Sequence, residues 1–70
     1  MRVRAFKHPA TNRYLWGIGK DGYIETVKHP RYARVWDMDE PSSNGNFRKY
    51  REKHGEVLAQ AGYMVVEETI

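Results

Sequence analysis

Residues 46–67 read NFRKYREKHGEVLAQAGYMVVE, and this stretch decides the fold. Phe47, Tyr50, His54, Val57, Leu58 and Ala61 recur at helical spacing and form one continuous apolar stripe. Asn46 stands where an N-cap belongs and Gly62 where a C′ glycine belongs, so the spacing predicts a helix over residues 46–61. Gly55 inside it costs about 1 kcal/mol relative to alanine, so the helix must lean on tertiary packing. Past Gly62 the period switches to two. Met64 and Val66 then share one face of a strand over residues 63–67, and Tyr63 and Val65 share the other.

Upstream of the helix the chain reads as strands and turns. Val3, Ala5 and Phe6 support a first strand over residues 2–7, which His8-Pro9 ends. Residues 13–18 place Tyr14, Trp16 and Ile18 on one face and Leu15 on the other. Asp21-Gly22 is a strong hairpin signal, because glycine takes positive φ without strain, and it leads into a strand over residues 23–28. Arg31 to Arg34 suits one helical turn before a short extended piece at 34–36. Pro41, two serines, Gly45 and two asparagines make residues 37–46 a flexible loop by turn chemistry. The expected architecture is one α+β domain over residues 1–70, with a mainly antiparallel sheet of three or four strands and the helix on one face.

Size sharpens the expectation about packing. A 70-residue chain holds a small core with a stability of a few kcal/mol. There is no cysteine to supply a disulfide or thiolate site. Burying the largest side chains under the helix is therefore favoured, which puts Tyr14, Trp16 and Ile18 in the core; in the competing register they lie on the open face with Arg2, Arg4 and Phe6, as a stacking platform for single-stranded nucleic acid. Trp36, bordering the loop, is then the aromatic expected at a surface.

Charge divides the chain where structure divides it. Residues 1–36 carry eight basic side chains against two acids, whereas residues 37–70 carry four against seven. Six of the nine aromatics lie in the basic half, and basic side chains interleaved with aromatics suit an anionic or extended partner. The candidate binding residues are Arg2, Arg4, Arg13, Arg31, Arg34 and Trp36. The overall charge of +3 is also ordinary dressing for a small soluble domain. Arg48, Lys49, Arg51 and Lys53 fall in the first half of the expected helix, where the macrodipole prefers acids.

Chemistry has little foothold. His54 sits on the apolar stripe as a core histidine, and His8 and His29 are loop residues without an evident role. Asp37, Asp39 and Glu40 form the one acidic cluster, read as solvated surface ahead of a helix. Gly17, Gly19 and Gly22 lack the helix that a phosphate loop opens into. No enzyme activity, metal or cofactor is expected. Lys-His-Pro occurs at residues 7–9 and again at 28–30, which reads as His-Pro ending a strand twice. No apolar run approaches the roughly 20 residues of a bilayer span, and Arg2 and Arg4 have no apolar segment behind them to make a secretory signal.

Arg13-Tyr14-Leu15-Trp16, Lys20-Asp21-Gly22, Ala33-Arg34-Val35-Trp36, the helix and Gly62-Tyr63-Met64-Val65-Val66-Glu67 together resemble a broad group of very small phage and prophage proteins. The chain departs from that pattern in a longer Asp39–Asn46 loop and in Trp36, where phenylalanine is typical. The resemblance carries over no active-site residue. It implies an accessory protein in the cytoplasm of a bacterial host, binding a host protein that it inhibits or redirects. A nucleic-acid-binding module using Arg2, Arg4, Arg13, Arg31 and Arg34 with Trp16 or Trp36 is the alternative, and a homodimer through a free strand edge is a further expectation.

Overall fold

Strand β1 (Arg2–His8) organises the molecule. In the computed structural model, which describes residues 1–70, it pairs antiparallel with three other strands. Along one edge it meets β5 (Met64–Thr69) over its length, from Arg2 opposite Thr69 to Lys7 opposite Met64. Two strands divide its other edge. β2 (Arg13–Ile18) pairs at Lys7 and His8, and β4 (Trp36–Asp37) pairs at Val3 and Arg4. β3 (Ile24–Val27) adds to the outside of β2. The result is the expected α+β architecture, with five strands because the extended piece near residue 36 joins the sheet.

Local chemistry explains the turns. Gly22 at φ +84° closes the β2–β3 hairpin, with its N–H donating to Gly19 O at 3.0 Å and the Gly19 N–H donating to Tyr23 O at 2.8 Å. Both Lys-His-Pro triplets do end extended segments, and the histidines have a structural role that sequence reading missed. His8 Nδ1 accepts the Thr11 N–H at 3.3 Å, and His29 Nδ1 accepts the Arg31 N–H at 3.1 Å, where a short 3-10 turn (Pro30–Tyr32) begins.

Helix α1 runs from Pro41 to Gln60, so the expected start at residue 46 and the expected loop over 37–46 are both corrected. Pro41 lies in the first turn, where its fixed φ is preorganised for a helix. Glu40, not Asn46, is the N-cap. Its carboxylate accepts the Ser42 N–H at 3.1 Å and the Ser42 hydroxyl at 2.6 Å. Arg48 to Lys53 consequently occupy the middle of the helix, away from the positive end of the macrodipole. The C-terminus is as expected. Gly62 adopts φ +96°, its N–H bonds Ala59 O at 3.1 Å, and the Tyr63 N–H bonds Leu58 O at 2.9 Å. This pair of bonds is a Schellman motif.

The helix lays Phe47 and Leu58 on the sheet, where Phe6, Leu15 and Trp36 complete the core. Phe6, Trp36, Phe47 and Tyr50 form a continuous aromatic cluster with ring centroids 5.1–6.2 Å apart. Each such contact is worth about 0.5–1.5 kcal/mol beyond area burial. Half-buried His54 packs against Tyr50 in a tilted arrangement with centroids 4.6 Å apart, in keeping with a packing role. Val57 lies off the buried stripe and is exposed. The Cα radius of gyration is 11.3 Å, close to the roughly 11 Å of a compact chain this long.

Candidate functional site: the surface around Trp16

The β2 register decides which aromatics are presented. Leu15 pairs with Thr26 and Gly17 with Glu25, so Trp16 is an extra residue in a β-bulge. Leu15 is fully buried in the core, and Trp16 is turned out with 54% of its surface exposed. Tyr14 is buried, but its hydroxyl reaches Glu68 on β5, and Ile18 packs at the margin of the core. The expectation that Tyr14, Trp16 and Ile18 form the core under the helix is thus corrected: Leu15 takes the helix-facing side of β2, Tyr14 lies on the other face, and the bulge after Leu15 returns Ile18 to the margin of the core. Trp36 is corrected in the opposite sense. It is 7% exposed and sits between Phe6, Phe47 and Tyr50, so it is a core residue and not a surface anchor.

The structure distributes the candidate arginines over several elements. Arg2 makes an exposed ion pair with Asp39 at 3.2 Å, a kind of contact worth little in water. Arg4 donates to Asn44 Oδ1 at 2.6 Å and lies 5.6 Å from the Phe47 ring centroid, so it ties β1 to the helix. Arg13 is held against β3, with Nε 2.7 Å from Thr26 Oγ1 and a terminal nitrogen 3.2 Å from Thr26 O. Arg34 places its guanidinium 5.2 Å over the Tyr50 ring, and its N–H donates to Leu15 O at 2.9 Å. Arg31 is exposed in the 3-10 turn.

Two of these arginines flank Trp16. A shallow hollow of about 450 Å³ is lined by Arg13, Trp16, Tyr23, Glu25, Thr26 and Val27. A second, of about 360 Å³, is lined by Trp16, Ala33, Arg34 and Val35. Tyr23 and Tyr32 are 68% and 66% exposed, so the basic half displays three large aromatics. Neither Arg13 nor Arg34 has a carboxylate within ion-pairing distance; the only ion pair in the molecule is Arg2–Asp39. The arrangement is a tryptophan ridge between two arginine-bordered hollows. It can stack, desolvate and attract negative charge. The missed signal was the Trp16-Gly17 step, since a glycine inside a strand pattern often marks a bulge.

Burial raises Tyr14, Tyr50 and Tyr63 above the ordinary tyrosine value of 10.0; the Glu68 hydrogen bond and charge add to the effect at Tyr14. Arg34 opposes the rise at Tyr50, and Arg13 opposes it at Tyr63. Hydrogen bonds from Ser42 hold Glu40 below the usual carboxylate value. No three His, Asp or Glu side chains gather where they could hold a metal ion, and no helix is long and apolar enough to cross a membrane. No protein-family model, curated protein or solved structure matches the chain.

Proposed function

We propose that this chain is a non-enzymatic binding protein that engages a host protein through the surface centred on Trp16. The observation that carries the proposal is the exposure of that one tryptophan. Phe6, Tyr14 and Trp36 on the same sheet are all buried. Full burial of a large apolar side chain contributes about 1.5–3 kcal/mol, a substantial amount for a domain this small. A bulge that turns Trp16 outward forgoes that stabilisation in the free chain, and a partner that covers Trp16 recovers it. Buried tryptophans are frequent anchors of protein interfaces. The likeness to small phage proteins supplies the setting, a bacterial cytoplasm and a host protein that the chain inhibits or redirects.

A nucleic-acid partner is the second reading, favoured by Arg13 and Arg34 bordering the same hollows as Trp16. Affinity capture from bacterial lysate, with and without nuclease and at two salt concentrations, separates the two. A protein partner gives one stoichiometric species that survives nuclease and is lost with Trp16→Ala. Recovery of mixed nucleic acid that disappears at higher salt assigns the surface to polyanion binding instead.

A further inference from the structure

We infer that the partner of the Trp16 surface is an extended, acidic peptide segment that adds to the sheet along the free edge of β3. The inference rests on the proposed protein-binding role and specifies its chemistry. β3 pairs only with β2, so its outer edge has no strand partner, although Arg13 already reaches Thr26 O at 3.2 Å. Its sequence, Ile24-Glu25-Thr26-Val27, contains neither the proline nor the lysine that commonly blocks an edge. The larger hollow is lined by Tyr23, Glu25, Thr26 and Val27 from this same segment, with Arg13 and Trp16 reaching in from β2. A strand laid along β3 would hydrogen-bond through its backbone and set alternate side chains into that hollow.

Charge selects the occupant. Residues 13–34 carry Arg13, Lys20, Lys28, Arg31 and Arg34 against Asp21 and Glu25. An acidic segment therefore meets a net positive margin. The other free edge, on β5, carries Glu67 and Glu68, which disfavours the same peptide there and opposes carboxylates in a symmetric pairing of two β5 strands.

The test is selection of a random nine-residue linear peptide display library on the folded protein, with the Trp16→Ala variant as counter-target. Selected peptides are then mapped by amide chemical-shift perturbation. The expected result is enrichment of acidic peptides with an apolar residue. Their shifts should concentrate at residues 23–28 and the Trp16 indole, and binding should weaken about tenfold, or ~1.4 kcal/mol, in a Lys28→Glu, Arg31→Glu double variant. Enrichment without acidic bias, shifts away from β3, or no enrichment overturns the inference. Displacement of the peptides by a ten-residue oligothymidylate at lower concentration than free peptide also overturns it, in favour of nucleic acid. If the inference fails while a lysate protein is still lost with Trp16→Ala, the Trp16 interface stands and only strand addition falls. If Trp16→Ala changes neither, both fall.

Discussion

The Tyr14 hydroxyl donates to Glu68 Oε1 at 2.8 Å, joining β2 to β5 across the intervening β1. Tyr14 lies opposite Lys7, and Glu68 lies opposite Val3. The side chain must therefore run along β1 over Ala5, on the face that the helix does not cover. This explains how Val3 and Ala5 are fully buried without a second layer above them. Lys7 closes the far side, with its ammonium 5.4 Å from the Tyr14 ring centroid.

Tyr14→Phe should cost about 1 kcal/mol at pH 8, the net worth of one part-buried hydrogen bond, measured by urea unfolding. The same variant tests the alkaline limb. Because Tyr14 is raised above 10.0 in the fold, the native state holds its proton where the unfolded state has lost it. That contribution is complete below the unfolded value and is lost as pH rises through the folded one. The variant should lose stability less steeply above pH 10.0 than the parent. It will not be flat, since Tyr50 and Tyr63 are raised as well.

The two tryptophans should behave oppositely. Trp36→Ala empties the centre of the aromatic cluster and should cost about 3–5 kcal/mol, enough to leave the chain largely unfolded by circular dichroism. Trp16→Ala should stay within about 0.5 kcal/mol of the parent, as surface substitutions do. In the parent, iodide should quench Trp16 and spare Trp36. Uniform quenching of both would contradict the bulge geometry.

Glu40→Ala should lower the melting temperature at pH 7 by removing the acceptor for two Ser42 donors. The Glu40 carboxyl is held below its usual value, so its contribution is present above the unfolded pKa and fades as pH falls through the folded one. The gap in melting temperature between parent and variant should therefore close towards pH 3. A gap that widened in acid would refute the capping role.

Two glycines give opposite expectations. A Cβ at Gly62 would enter at positive φ and lie 2.8 Å from His8 Nε2, so Gly62→Ala should destabilise by about 1 kcal/mol or more. Gly45 lies within the helix, and a methyl group there would meet no atom within 4 Å, so Gly45→Ala should stabilise by roughly 0.5–1 kcal/mol. Denaturant midpoints at equal m-value decide both.

The helix beginning shows where sequence reading gave way. Pro41, Ser42, Ser43, Asn44, Gly45 and Asn46 favour turns individually, yet all are helical. Glu40 caps them, and Asn44 is fixed from both sides, accepting from Arg4 at 2.6 Å and donating to Met38 O at 3.2 Å. Those partners are remote or conformation-dependent, so propensity could not register them. The candidate site failed for a related reason. Alternation separates Leu15 from Tyr14 and Trp16 but does not say which side meets the helix, and the bulge that carries Ile18 back to the core side exists only in the pairing with β3.

Local chemistry in the sequence was sufficient for the β2–β3 hairpin, the Gly62 stop, the strand after it and the α+β class, because each depends on neighbouring residues and their periodicity. The choice between Trp16 and Trp36, the engagement of Arg4 and Arg13, and the burial of Tyr14 across β1 were decided by tertiary structure alone. Each depends on register between segments distant in the chain, where two arrangements of equal hydrophobic composition differ only in which side chains find space and hydrogen-bond partners.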